Sequence, residues 1–272
     1  MKDISLTESK KIMLDILKEV ASFCDENNIV YFLAYGTLLG AVRHKGYIPW
    51  DDDIDIMMPR PDYERFVELY HQKGKYAISS PLVDKGCFYV YSKVYDERTI
   101  KFESGIDYSR YPALGIDIDV FPLDGILEDK KLKHYLLYSI VLYRIGRLIA
   151  RTIAPKHIFP SIKNRIADLT INPFCRIIGK DFFIKYYIKV ATYYTYESSD
   201  NIYVAFPSLE SIQTKYAKHL FTSRIKIPFE DGEFWAPKGY DEYLRGSYGD
   251  YMQLPPVEKQ KTHHKNIIFW RE

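Results

Sequence analysis

The sequence lacks any long uncharged apolar run. A transmembrane helix needs roughly 18 such residues, and the nearest approach, residues 135–143, is followed closely by Arg144 and Arg147. The chain begins MKDISLTESKK, which has no apolar segment of the kind found in secretory signal peptides. We therefore expect neither a membrane span nor a secretory leader.

Cysteine is scarce, and the net charge is close to zero. A formal charge of +2 excludes a general binder of polyanions, and no motif indicates a nucleic-acid partner. The cysteines are odd in number and far apart, which argues against a disulfide framework or a zinc finger and suits a reducing compartment. They are Cys24, Cys87 and Cys175. We expect a cytoplasmic location, either free or peripheral at the inner face of the plasma membrane.

Tyrosine, in contrast, is abundant. The chain has 25 tyrosines among 272 residues, and 47% of its residues are hydrophobic and 27% charged. That composition is typical of a globular protein, long enough for one large domain or for a core with an insertion. The amphipathic tyrosine side chain suits polar ligands such as sugars and also wet interfaces. Composition does not choose between these two uses.

The order of elements predicts an α/β (α+β) fold in which helices flank a mixed sheet. A capping box of Ser5 and Glu8 opens an amphipathic helix. Gly36 begins a turn into a short helix, and Pro61 begins another helix that extends to Tyr70. Strands are predicted at 29–34, across IPWDDDIDIMMP, at 88–96 and at 114–125. We assign residues 1–129 to a catalytic core and 201–272 to a C-terminal segment that completes it.

Between these parts, residues 130–200 form a predicted helical, basic and aromatic insertion. Residues 130–189 contain 13 Lys or Arg residues and only two acidic ones. An apolar stripe with basic residues beside it could rest on an anionic membrane face. It could equally pack on the core and leave its charges in water. The sequence leaves both interpretations of residues 130–190 open.

Two segments alternate aspartate with isoleucine. In WDDDIDI, Asp51, Asp53 and Asp55 fall on one face of a predicted strand, and Cα atoms two residues apart on a strand are about 6.6 Å apart. Asp117 and Asp119 repeat this spacing on another strand. Single aspartates are usually solvated, but aspartate is depleted in strands, and several close carboxylates repel unless a cation neutralises them. The pattern therefore predicts a site for Mg²⁺ or Mn²⁺, which prefer oxygen ligands.

A glycine turn precedes the first of these segments. Gly36 and Thr37 follow a predicted strand, so backbone N–H groups and a hydroxyl lie at a helix N-terminus, which favours phosphate. Arg43 could bind a diphosphate through two hydrogen bonds, and Lys45, which follows it, is a further predicted phosphate contact. A glycine turn, a helix and an Asp-x-Asp strand together are typical of nucleotidyltransferases.

These motifs resemble the LicD family. The resemblance rests on YGTLLGAVRHKGYIPWDDDIDI, GIDIDVFPLDG and PKGYDEYLRGSYGDYMQLPPVEKQKTHH, and the same blocks are more remotely similar to fukutin and fukutin-related protein. It implies a nucleotidyltransferase fold, metal ligands at Asp53, Asp55 and Asp119, and a phosphate-binding turn at Gly36, Thr37 and Arg43. Asp51 and Asp117 match acidic positions that are less certain ligands.

The resemblance also implies a reaction. A sugar hydroxyl would attack the distal phosphorus of a CDP-alcohol, most simply CDP-choline, and CMP would leave. The acceptor would be a glycan precursor, often lipid-linked, of teichoic acid, capsule or lipopolysaccharide. Asp117 and Asp119 are the predicted general bases. Three alternatives stay open: a glycerol or ribitol donor, a nucleotidyltransferase that uses NTPs, and a non-catalytic module for anionic polymers.

Overall fold

The computed structural model describes residues 2–70, 74–84, 87–103, 108, 112–126, 177, 180–204, 214–262 and 266–272. Within these residues the chain forms a mixed α/β structure, which confirms the predicted α+β class. The helices are α1 Leu6–Glu26, α2 Tyr35–His44, α3 Arg60–Leu69, α4 Lys180–Ala191 and α5 Tyr240–Tyr248, with short 3₁₀ turns at Lys218–Phe221 and Val257–Lys259.

Seven strands form the main sheet. They are β1 Phe32–Leu33, β2 Asp55–Pro59, β3 Tyr76–Ser79, β4 Ser92–Asp96, β6 Asp117–Ile126, β7 Asn201–Val204 and β8 Tyr216–Ala217. The long β6 is the hub: it pairs parallel with β2, antiparallel with β4 over its first half, and antiparallel with β7 over its second half. Two separate ribbons join β5 Thr99–Glu103 to β11 Asn266–Trp270 and β9 Arg224–Phe229 to β10 Gly232–Pro237.

Helix α1 covers the sheet through its apolar face. The Ser5 hydroxyl accepts a hydrogen bond from the Glu8 backbone N–H at 3.2 Å, which caps the helix as the capping box predicts. Ile16, Leu17 and Val20 are fully buried, and the helix contacts β4 and β6. This packing fixes the sheet from one side and leaves the ends of β2 and β6 to form a site.

The predicted strand across residues 48–59 is too long. Its ladder begins only at Asp55, where β2 meets β6, so the expectation that Asp51, Asp53 and Asp55 share one strand face is wrong for the first two. The Asp51 N–H bonds the carbonyl of Ile48 at 2.9 Å, which closes a turn. The neighbouring strand β1 pairs with Ile56 and Met57, so the paired residues of β2 all lie after the acidic residues 51–53.

The sequence interpretation also omitted several elements. Strands β3 and β5 lie between α3 and β6, and the tail contains α5, β10 and β11 rather than turns alone. Most of the predicted helical insertion lies outside the described residues; its described end forms α4. Among the residues with assigned structure, no helix has the length and apolar character to cross a membrane.

Candidate active site

The parallel pairing of β2 and β6 brings two of the predicted ligands together. Asp55 is the register partner of Asp119, and the Asp119 N–H donates to the carbonyl of Ile54 at 2.9 Å. Ile56 is fully buried and Ile118 is 1% exposed, so the apolar residues that alternate with the carboxylates anchor both strands in the core. The side-by-side strands therefore hold Asp55 and Asp119 at one sheet edge.

Thr37 holds the start of β2 in place. It lies in the first turn of α2 and is buried, and its hydroxyl oxygen accepts a hydrogen bond from the Asp55 N–H at 2.8 Å. The sequence interpretation assigned Thr37 to phosphate binding, which stays a prediction. The structure gives the side chain a positioning contact with Asp55.

Asp51 lies against the N-terminus of α2. A Cβ atom on Gly36 would come within 2.5 Å of the Asp51 carboxylate, so only glycine permits this approach. Tyr35, the residue before it, has φ of 43°, a left-handed conformation that is uncommon for a bulky residue. The backbone at Gly36 therefore lies against the Asp51 carboxylate, and Tyr35 holds a strained conformation beside the site.

The acidic loop is tightly clustered. Carboxylate oxygens of Asp51, Asp52 and Asp53 all lie within 4.8 Å of one another. Burial first, then the charge of Asp53, raises the pKa of Asp51 to about 7. Burial, followed by the charges of Asp53 and Asp119, raises the pKa of Asp55 well above its ordinary value.

Two lysines oppose these acids on the β6 side. Lys93 on β4 bonds Asp119 at 2.5 Å and Asp117 at 3.3 Å, and Lys101 on β5 contacts Asp117 at 2.5 Å. Burial favours protonation of Asp117, but both lysines outweigh it and hold its pKa below the ordinary value. Burial raises the pKa of Asp119 against the opposing charge of Lys93. Of the two predicted bases, Asp119 is thus the less tightly paired.

A large cavity of about 810 Å³ opens in front of the acidic loop. We call it the large cavity; its volume falls in the range of small-molecule sites. Asp51, Asp53 and Asp55 line one wall beside Gly36. The facing wall comes from the C-terminal segment and includes Tyr248, Asp250, Tyr251, Leu254 and Lys259.

Arg43 and Lys45 differ in their placement. Arg43 lines the large cavity, and one of its terminal nitrogens donates to the carbonyl of Tyr251 at 2.7 Å. Lys45 ends α2 in a left-handed conformation, and its ammonium group bonds the carbonyl of Val42 at 3.2 Å. It is exposed and is not among the residues that line the large cavity, and its predicted phosphate contact stays a prediction.

Sequence reasoning missed the two lysines. Lys93 lies within FYVYSKVYD, a segment predicted only as a strand. Its side chain is 6% exposed, and lysine is rarely buried without a partner. A lone lysine in an apolar strand was the available signal, but only the pairing of β4 with β6 identifies its partners.

The donor set fits a hard divalent cation. Asp53 and Asp55 line the large cavity, and Asp55 adjoins Asp119 through the sheet register. Every one of these groups offers oxygen, the ligand that Mg²⁺ and Mn²⁺ prefer. Burial first, and then the charges of neighbouring carboxylates, raise the pKa of Asp55 and of Asp119, and a cation would relieve that repulsion.

Residues 28–139 match the family model described as the LicD/FKTN/FKRP nucleotidyltransferase domain. The chain is also 32% identical over 272 residues to the lipopolysaccharide cholinephosphotransferase LicD of Haemophilus influenzae, and the aligned region covers 97% of each chain. The chain belongs to the LicD family. The family model includes the glycine turn, the acidic loop and the start of β6, so the resemblance predicted from the motifs is confirmed.

Two further relatives match over shorter segments. An uncharacterised protein of Rickettsia typhi is 40% identical over 73 residues, which cover 26% of this chain and 24% of the other. One from Rickettsia prowazekii is 39% identical over 70 residues, which cover 25% and 26% of the two chains. They share a short block with this LicD-family chain and carry no functional description.

Proposed function

We propose that this LicD-family phosphotransferase transfers phosphocholine from CDP-choline to a hydroxyl group of a glycan sugar and releases CMP. The observation that carries the proposal is the acidic edge of β2 and β6, which faces a cavity large enough for a nucleotide. Similarity over almost the whole chain to a lipopolysaccharide cholinephosphotransferase supports the choice of phosphocholine and of a glycan.

The residues of the large cavity, together with the neighbouring Asp119, would bind different parts of the donor. Backbone N–H groups at Gly36 and the guanidinium of Arg43 would contact the diphosphate. Asp53, Asp55 and Asp119 would hold Mg²⁺ or Mn²⁺, which supplies charge neutralisation for the diphosphate when bound. Trp50, Tyr248 and Tyr251 line the same cavity and offer aromatic faces for the cytosine base.

The acceptor hydroxyl needs a proton acceptor. Asp119 suits this role better than Asp117, because its side chain is 18% exposed whereas that of Asp117 is 5% exposed and contacts two lysines. Such transfer depends mainly on positioning and on charge stabilisation. The buried strands β2 and β6 supply the rigid support.

The test is a direct assay. Purified protein with Mg²⁺ would be offered CDP-choline, CDP-glycerol, CDP-ribitol or the four NTPs, and CMP or pyrophosphate would be measured. We expect CMP from CDP-choline, and none from the Asp53→Ala/Asp55→Ala variant. Asp15→Ala, which removes an exposed acid of α1, is the matched control and should behave as the parent.

Each other result has a definite meaning. CMP from CDP-glycerol or CDP-ribitol alone would change the transferred alcohol but keep the reaction type. Pyrophosphate release from an NTP without any CDP-alcohol effect would replace the proposal by nucleotidyl transfer. Full activity in the double aspartate variant would remove the acidic edge from the mechanism.

The proposed location remains the cytoplasm, with the inner face of the plasma membrane as the place where a lipid-linked acceptor would be met. That proposal rests on the cysteine usage and on the basic residues 130–190, most of which lie outside the described structure. Vesicle co-sedimentation of the protein with anionic and neutral lipids would test it.

A further inference from the structure

A second cavity of about 290 Å³ lies behind the acidic loop. We call it the small cavity. It is bounded by α1, by the sheet and by the ribbon of β5 and β11. Its lining includes Tyr89, Tyr91, Glu103, Asp119 and Asn266.

The carboxylates divide between the two cavities. Asp55 lines the large cavity and Asp119 lines the small one, although the two are register partners on adjacent strands. Asp53 lines both. The two cavities therefore meet at the group of acids that the proposed reaction uses.

Phosphoryl transfer needs this kind of division. The attacking and leaving oxygens lie roughly in line on opposite sides of the phosphorus, so the acceptor hydroxyl approaches from the side opposite to the departing nucleotide. The large cavity holds the N-terminus of α2 and Arg43, the groups suited to a diphosphate. This leaves the small cavity, with Asp119 in its wall, for the attacking hydroxyl.

The lining suits a sugar ring. Glu103 and Asn266 offer hydrogen-bonding groups, and the rings of Tyr89 and Tyr91 lie 5.2 Å apart at their centroids. Lys93 and Lys101 are engaged with Asp117 and Asp119, so they hold the wall together rather than attract a further anion. The volume of about 290 Å³ lies just below the ~300–1,000 Å³ of typical ligand pockets, which suits a single sugar ring better than a whole nucleotide.

We propose that the small cavity is the acceptor subsite and binds the single sugar ring whose hydroxyl group receives phosphocholine. The inference rests on the proposed function and names where its second substrate binds. The sugar oxygen forms a bond to the choline-bearing phosphorus, and the bond from that phosphorus to the oxygen of CMP breaks. The electron pair leaves with CMP, and the hydroxyl proton passes to Asp119.

Strand β11 offers a matched pair of variants. Asn266 and Ile268 line the small cavity, whereas Ile267 between them is 61% exposed, because successive side chains on a strand point to opposite faces. Asn266→Trp and Ile268→Trp would fill the cavity from one wall. Ile267→Trp adds the same bulk on the outer face and serves as the control, and thermal melts would establish that each variant folds.

The measurements separate donor from acceptor. CDP-choline affinity would be measured by calorimetry, and transfer would be followed as phosphocholine on methyl glycosides and on deacylated lipopolysaccharide oligosaccharide. We expect both cavity variants to weaken transfer at least tenfold through the acceptor KM, with the CDP-choline Kd within about twofold of the parent. Ile267→Trp should retain both values.

Three results would overturn the inference. An unchanged acceptor KM in both folded cavity variants would exclude the sugar from this cavity. Loss of CDP-choline affinity with retained CDP affinity would assign the cavity to the choline group instead. If the parent protein itself releases no CMP from CDP-choline, the proposed function fails first, and that failure is recognisable because it does not depend on the variants.

Discussion

The two ends of strand β6 use aspartate in opposite ways. Near its C-terminal end, Asp124 is 1% exposed and receives two hydrogen bonds of 2.6 Å from Arg60 of α3. Near its N-terminal end, Asp117 and Asp119 join Asp51, Asp53 and Asp55 against Lys93 and Lys101. The first end is a one-to-one ion pair, whereas the second brings several carboxylates together beside Lys93 and Lys101.

The ion pair at one end of β6 supports the fold, whereas the carboxylates at the other end belong to the candidate site. A buried ion pair with satisfied hydrogen bonds locks α3 onto the sheet, and losing one partner leaves an uncompensated buried charge. A cluster of carboxylates lowers the stability of the folded state because the charges repel one another. The same cluster offers oxygen ligands to a cation. The same residue type on one strand therefore stabilises the structure at one end and prepares a site at the other.

The largest expected effect is on activity at the acidic end. Asp55→Asn should lower CMP release from CDP-choline by about a thousandfold or more, since several kcal/mol of transition-state stabilisation depend on the cation it helps to hold. Its thermal midpoint without metal should equal or exceed that of the parent, because a buried repulsion is removed. If Asp55→Asn releases CMP at the parent rate, or if it unfolds, Asp55 does not differ from Asp124 in the expected way.

The balanced end should respond in stability instead. Arg60→Met leaves Asp124 buried and unpaired, which should cost about 3–5 kcal/mol of unfolding free energy. Urea unfolding measures this. The double variant Arg60→Met/Asp124→Leu should recover most of the loss, because no buried charge remains; failure to recover would mean that the pair supports packing that apolar residues cannot replace.

The acidic loop should make stability fall as pH rises. The folded pKa of Asp51 is raised to about 7, so the folded state retains a proton that the unfolded chain has already released. Stability attributable to this group is therefore lost between about pH 4 and pH 7. Without divalent metal, Asp51→Asn should melt roughly 5 °C above the parent at pH 8.

That advantage of Asp51→Asn should shrink towards pH 5, where the parent carboxyl is largely protonated. The matched control is Asp15→Asn on the exposed face of α1, which should melt with the parent at both pH values. An equal advantage at pH 5 and pH 8 would show that the gain comes from packing rather than from relief of charge.

The smallest expected effect concerns the link between helix and strand. Thr37→Val removes the acceptor of the Asp55 N–H and should cost about 1–3 kcal/mol of stability. The rate of CMP release and the affinity for Mg²⁺ should both fall moderately, because the Asp55 backbone loses a hydrogen bond that positions it. Thr37→Ser keeps the hydroxyl and should restore both; if it does not, the methyl group rather than the hydrogen bond carries the effect.

The sequence by itself determined which acidic segments form the candidate site. Alternation of aspartate with isoleucine in two segments predicts strands whose polar face collects carboxylates, and the ladder of β2 with β6 confirms this for Asp55 and Asp119. The capping box of α1 and the helix that begins near Pro61 could also be predicted from the sequence, since both depend on residues within a few positions of each other. Motif resemblance extended this local information to the family.

Only the tertiary structure decided which groups share a wall. Lys93 and Asp119 are in contact although they are 26 residues apart in the sequence, and Arg43 and Tyr251 are in contact although they are 208 residues apart. No local sequence pattern predicts such contacts. The place where β2 begins was equally hidden, because a strand ends where its partner stops offering hydrogen bonds, whatever its own propensity. The two cavities exist because β5, β11 and the segment after α5 pack around the acidic edge, an outcome of long-range burial rather than of any single segment.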